Sequence, residues 1–479
     1  MTHGLLLRLL RLGVLALLVA APLPFGSVQP GSVFLLELGA LALGLGALWI
    51  VSRDPERAAS VPRAALAICL MLLGWGLIQL VPIPPSFAAR WNPSAGLLRP
   101  LLPYLGLPHP PAVAWSVAPP ETTDAILRVA AYVLIGLTAA VAFETGASRR
   151  RLGAVLVGSA VFQSVYGSGE YLSGRQHIFA FAKKYYLESA TGTFINRNHF
   201  ATFLAMALPV ALVLAISSPR EGRGRRVRSW RERAVDASGS DILRVLAVVA
   251  SALIWMGLLL SHSRGGLLAA IAGTAVVLVR YRGSRAARWT GALGVVVLGI
   301  LLTLEMSQAP GERFLTVRDE IFGRTGRPAV WRDALGLVSA RPLLGYGYGT
   351  FESAFPSVQS GEIDLRFDHA HNDWLEWATE GGLPLLAAAV ALYALALRGT
   401  ARSLSPGFSA AFAIASRGAL IALGLHAMWD FSLRIPAVAV TCAVLMGIAL
   451  ARTEPARSAS LGPSKVPDLA EASATGVQP

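Results

Sequence analysis

The hydrophobic positions of this chain run together in blocks of about 20 residues that recur from residue 12 to residue 451. They predict membrane-crossing helices near 12–25, 32–51, 64–83, 125–143, 152–168, 200–217, 243–260, 267–280, 289–304, 383–397, 408–427 and 435–451. The expected fold is an all-α polytopic membrane protein with about twelve transmembrane helices. Two polar stretches between the blocks, 169–199 and about 305–382, are too long to be turns. In the second, Ala329 to Val338 has helical apolar spacing, and His371 to Glu380 predicts a second amphipathic helix ending at Gly381-Gly382. These two are expected to lie along the outer membrane surface as a lid.

Charge orients the blocks. With a cytoplasmic N-terminus, the inner connections hold Arg53, Arg57 and Arg63, then Arg149 to Arg151, the run from Arg220 to Arg233, and Arg280, Arg282, Arg285 and Arg288. Later ones hold Arg398, Arg402 and Arg417, and the tail holds Arg452, Arg457 and Lys465. The outer connections hold far fewer, so the positive-inside rule puts both ends in the cytoplasm. That distribution explains the net charge of +14 as orientation, and no nucleic-acid partner is expected. Composition agrees: 54% hydrophobic and 15% charged residues, with a mean hydropathy of +0.56, against about 25% charged in soluble domains. Cys69 and Cys442 each lie inside an apolar run, which excludes a disulfide framework and a cysteine metal site. The first block is read as a retained helix, with a cleavable signal peptide as the alternative. The organisation expected is helices one to nine over 1–304, including the polar segment 169–199, a large outer loop at 305–382, helices ten to twelve over 383–451, and a disordered tail at 452–479.

Candidate chemistry gathers on the outer side. Arg197 precedes the sixth block among Asn196, Asn198 and His199, where one snorkelling anchor would need no such neighbours. Arg264 occupies the short turn Ser261-His262-Ser263-Arg264-Gly265-Gly266, whose glycines permit a tight turn or a close ligand. Two arginines at outer helix ends suit an anion, since guanidinium forks match phosphate oxygens. His371 is either a general base or a helix-start histidine bonded to a carbonyl. Asp368-His369-Ala370-His371 has the look of a metal cluster, but His-x-His aligns both rings only in a strand, so no metal or other cofactor is expected. Gly345-Tyr346-Gly347-Tyr348-Gly349 reads as a flexible turn, and His426 with Asp430 as a structural polar pair. Arg327, Trp331 and Arg341 contact glycan or phosphate, or form a solvated helix face.

In combined order these segments resemble the O-antigen ligase and O-antigen polymerase family of bacterial membrane glycosyltransferases. The matching stretches are Gly192 to Ala201, Ser263 to Gly266, Arg327 and Trp331 with Arg341 to Gly347, His371-Asn372 with Gly382, and His426 to Phe431 followed by Arg434-Ile435-Pro436. The resemblance runs from about 150 to 450 and implies a GT-C-type fold in the inner membrane with a large periplasmic loop. It also implies metal-independent, inverting transfer of a glycan from undecaprenyl diphosphate. Arg197 and Arg264 would hold the diphosphate, His371 would activate the acceptor hydroxyl, and Asn372 would orient His371 or the acceptor. Asn196, His199 and Arg327 are further candidates for substrate contact. The acceptor is lipid A core in a ligase and another lipid-linked repeat in a polymerase; His371-Asn372 and the spacing to Gly382 lean to the ligase. A protein glycosyltransferase of similar build is a further alternative. A transporter or flippase would place ionisable groups near the membrane midplane, and the blocks here are nearly free of charge apart from Glu37.

Overall fold

The computed structural model describes residues 3–86, 104, 112–217, 239–280, 326–360, 366–398 and 407–451. The apolar block at 289–304, the arginine run at 220–233, Arg282, Arg285, Arg288 and the tail at 452–479 lie outside the described residues. Among the described residues the α-helices are, in chain order, α1 (His3–Ala20), α2 (Pro30–Arg53), α3 (Pro55–Ser60), α4 (Arg63–Gln79), α5 (Pro119–Ala142), α6 (Gly146–Leu172), α7 (Arg197–Ile216), α8 (Gly239–Leu260), α9 (Arg264–Arg280), α10 (Arg327–Ala340), α11 (Phe351–Ala354), α12 (Asp373–Arg398), α13 (Phe408–His426) and α14 (Pro436–Leu450). Two antiparallel two-residue strand pairs, β1 (Pro82–Ile83) with β2 (Val113–Ala114) and β3 (His177–Ile178) with β4 (Phe181–Ala182), are the sheet among the described residues. The protein is all-α and polytopic. Among the described residues eight helices are long and apolar enough to cross a membrane, and α4 and α14 are shorter apolar helices.

Each expected block inside the described residues is helical over most of its length; α4 ends at Gln79, short of the expected 83, and the first block is shifted. The first helix runs from His3 to Ala20 rather than 12–25, because Pro22 and Pro24 cannot continue a helix. It packs through Leu7, Leu10, Val14 and Leu18 into the core. Helix α7 is the axis of the bundle, buried almost all round from His199 to Val213 and packed on α6, α8, α9 and α13. Where α9 meets α13, a Cβ on Gly273 would sit 2.6 Å from the Gly418 carbonyl oxygen, so only small residues allow the helices this close. At the opposite end from the candidate residues, Arg57 bonds Asp54 at 3.0 Å and Glu144 at 2.6 Å, joining two of the predicted inner connections.

One loop expectation is met and another is corrected. The amphipathic stretch after His371 forms the first part of α12, Asp373–Arg398, and Gly382, with φ of +72° and extended ψ, divides α12 into two helices at the expected Gly381-Gly382. A Cβ there would overlap the Leu343 carbonyl, so glycine lets the chain turn around that strap before the second helix descends. The Gly345 to Gly349 segment is bonded along its length rather than free. Tyr346 and Gly347 donate N–H groups to the Thr379 and Glu380 carbonyls at 3.0 and 2.9 Å, and buried Gln79 bonds Leu344, Glu380 and Tyr348. It straps α12 to α4 and α5.

Candidate active site

Two helix N-termini meet at one end of the bundle. Asn196 caps α7 by accepting the Asn198 N–H at 2.8 Å, which makes Arg197 the first residue of that helix. Arg264 is the first residue of α9. The Ser263 hydroxyl donates to Asn198 Oδ1 at 2.8 Å and ties the two starts together. Gly266 allows this approach, because a Cβ there would overlap that of Ala201. Two N-terminal ends with their unbonded N–H groups favour an anion. The Arg197 guanidinium lies 5.6 Å from the Tyr186 ring and 3.4 Å from Ser189 Oγ, and its buried Nε has no hydrogen-bond partner among the described residues. Arg264 is exposed and has no ion pair among the described residues.

Opposite them stands a histidine cluster. His371 Nδ1 lies 3.4 Å from Asp430 Oδ1, and His199 Nε2 lies 3.8 Å from the same oxygen. Burial pushes the Asp430 carboxyl up, but His199 and His371 beside it outweigh burial and hold it well below the usual carboxylate range. Phe431 packs at the centre: the His369 ring stacks on it at 4.1 Å, and His199 and His371 meet it edge-on at 4.8 and 4.9 Å. His371 has φ of +51°, a left-handed conformation that a bulky residue adopts only when its surroundings impose it. Those surroundings are the Trp331 indole, which bonds the Ala370 carbonyl at 2.8 Å, and the start of α12, where Asn372 Oδ1 accepts the Leu375 N–H at 3.1 Å.

The first turns of α12 bury a row of acids, Asp373, Glu376 and Glu380. Glu376 accepts from the Ala370 N–H and pairs with His369 at 2.9 Å, while Arg434 joins Glu376 at 3.1 Å and Glu380 at 2.6 Å. Burial lowers the Arg434 pKa, and the two glutamates more than offset it, raising it above the ordinary value. His369 and His371 therefore face different carboxylates, which is not the arrangement of a shared metal site.

A cavity of about 1050 Å³ opens beside this cluster. Tyr185, Tyr186, Asn196, His199, His369 and Glu376 line its polar end, and Leu72, Val129, Leu392, Met446 and Leu450 line a long apolar continuation. Arg128 of α5 also lines it, so the helices are less free of charge than the apolar blocks suggest. Arg327 begins α10, half-buried; with Arg197 it opposes the upward push that burial and then Asp430 exert on the Tyr186 phenol. Arg341 is buried with its guanidinium 4.0 Å from the Tyr346 ring, so it belongs to the strap.

The fold thus brings His199, His371 and Asn372 to one cluster and Arg197, Asn196 and Arg264 to another beside it. Residues 249–390 match the family model described as O-Antigen ligase. This segment is similar to the O-antigen ligase family. No curated protein sequence matches the chain. The family segment spans α8 to the first half of α12 and contains Arg264, Arg327, His371 and Asn372, while Asn196, Arg197 and His199 lie before it. Three residues of this cluster, Asp430, Glu376 and Arg434, were not among the candidates read from sequence. Asp430 was paired with His426, but His426 bonds Thr202 and Ser432 in the core at 2.9 and 3.1 Å. Glu376 and Arg434 carried one signal: acids three and seven residues after Asp373 share a helix face that needs a cation.

Proposed function

We propose that the protein is an O-antigen ligase that transfers a glycan from undecaprenyl diphosphate to a hydroxyl of lipid A core, with inversion and without a metal. The observation that carries this is the His371–Asp430 pair, 3.4 Å apart, beside two arginine-led helix N-termini. Asp430, held ionised, favours the His371 tautomer with Nδ1–H directed at the carboxylate, leaving Nε2 to accept a proton. In the step proposed, the acceptor oxygen forms a bond to the anomeric carbon and its proton passes to His371 Nε2. The bond from that carbon to the diphosphate oxygen breaks, and undecaprenyl diphosphate leaves with the electron pair. Arg197 and Arg264 stabilise the developing charge on the diphosphate, so the leaving group needs no general acid. Asn372 and Asn196 serve by fixing the helix starts that carry His371 and Arg197, and His199 and Arg327 complete the polar rim.

The same proposal includes twelve GT-C-type spans in the inner membrane, both termini cytoplasmic, and a periplasmic loop at 305–382. The arginine pattern of the connections supports that orientation. A polymerase would use the same base and arginines with a lipid-linked repeat as acceptor. The test compares surface polysaccharide and undecaprenyl-linked glycan from cells lacking the gene with cells expressing His371→Ala. A ligase leaves long polymer on the carrier and a bare lipid A core in both. Single repeats on the core or the carrier indicate a polymerase. Full transfer by His371→Ala removes histidine as the base.

A further inference from the structure

Between α6 and α7 the chain carries aromatic rings that neither the proton transfer nor the diphosphate contact uses. Tyr186 sits at φ of +55°, a conformation unfavourable for a bulky side chain. Lys183 holds it there: its Nζ donates to Gln176 Oε1, the Tyr186 carbonyl and the Ser189 carbonyl at 3.0, 3.0 and 2.8 Å. That engages all three ammonium hydrogens within the segment, so Lys183 is a clamp and not a ligand group. The hairpin of β3 and β4 sets the reach of the clamp, with the Lys183 N–H bonded to the Gln176 carbonyl at 2.8 Å.

The clamp leaves Tyr185 and Tyr186 66% and 37% exposed, yet both line the cavity beside Asn196 and His199. The Arg197 guanidinium stands 5.6 Å from the Tyr186 ring. One ring held by a strained backbone and a second beside it at a cavity wall, next to a cation, match a ligand that is flat and apolar on one face and anionic at one edge. A pyranose attached to a diphosphate has that chemistry: its C–H face packs on an aromatic ring while its phosphates reach the arginine. We propose that Tyr185 and Tyr186 form the subsite for the sugar bonded directly to the donor's diphosphate, and so select the donor glycan. This rests on the lipid-diphosphate reading above.

The experiment uses full-length protein in nanodiscs and two probes: undecaprenyl-linked glycan extracted from cells lacking the gene, and undecaprenyl diphosphate without sugar. The parent is expected to bind the glycan-bearing lipid more tightly by about tenfold. Tyr185→Ala/Tyr186→Ala abolishes that preference while binding the sugar-free lipid like the parent, which also shows that it is folded. Tyr186→Phe retains the preference, because stacking needs the ring and not the hydroxyl. In turnover the double variant raises the donor KM and leaves kcat within about twofold. A double variant that keeps the preference, or loses both lipids equally as a mere membrane anchor or loop support would, overturns the subsite. A parent that binds the sugar-free lipid without preferring glycan overturns the subsite alone. A parent that binds neither probe overturns the lipid-diphosphate reading as well.

Discussion

The same end of the bundle holds two kinds of arginine. Arg434 lies between Glu376 and Glu380, whose side chains are 1% and 3% exposed, and its charge is matched by the protein itself. Arg197 and Arg264 begin helices, where the dipole adds positive charge, and among the described residues neither has an ion pair. A cation matched by buried carboxylates holds a structure together, whereas cations left unmatched at two helix starts wait for an anion. The difference teaches that position in the charge network, and not residue type, separates the framework from the proposed binding site.

The largest effect is expected from Arg434→Ala. It strands two buried carboxylates, and removing one partner of a buried ion pair costs about 3–5 kcal/mol. Thermal unfolding of the purified protein should show a large loss, with poor recovery from membranes. A variant that melts like the parent erases the contrast between the two arginine classes.

Arg264→Ala tests the other class. Melting should match the parent within about 0.5 kcal/mol, as for an exposed residue away from buried networks. Transfer should fall by about 10²–10³-fold, the range for losing one donor to a developing anion. Arg264→Lys keeps the charge and loses the planar fork, so recovery should be partial. Full activity with lysine would mean that the site needs a point charge and not bidentate contact.

How far the sequence shows these two classes depends on the range of the interactions. The apolar blocks are properties of composition, so the helices within the described residues are legible, as are Asn196, Arg197 and Arg264, which stand at helix starts marked by local signals. Asp430 is different. Its contact with His371 spans 59 residues and depends on the turn after α13, which a periodicity argument cannot reach. Helical spacing instead suggested His426 as its partner, but α13 ends at His426 and the chain turns before Asp430. The break in α12 was legible because its signal is local: Gly381-Gly382 is a stop signal, and Gly382 ends the first helix there while the apolar run beyond forms the second.

The smallest effect sharpens the comparison most, because His369 touches the framework network and lines the cavity. Burial lowers the pKa of its imidazole, but Glu376 beside it outweighs burial and raises it above the ordinary value of 6.5, with Arg434 opposing and Asp368 assisting. A histidine with a raised folded-state pKa stabilises the fold fully below its unfolded value, and that contribution is lost as pH rises through the folded value. The melting temperature of the parent should therefore fall from about pH 6 to about pH 9 more steeply than that of His369→Gln, by about 1–2 °C. Other titrating groups are common to both proteins and cancel in the difference. Equal slopes would mean that Arg434 alone neutralises Glu376, leaving His369 to the cavity; a steeper parental slope makes His369 part of the framework that holds His371 in place.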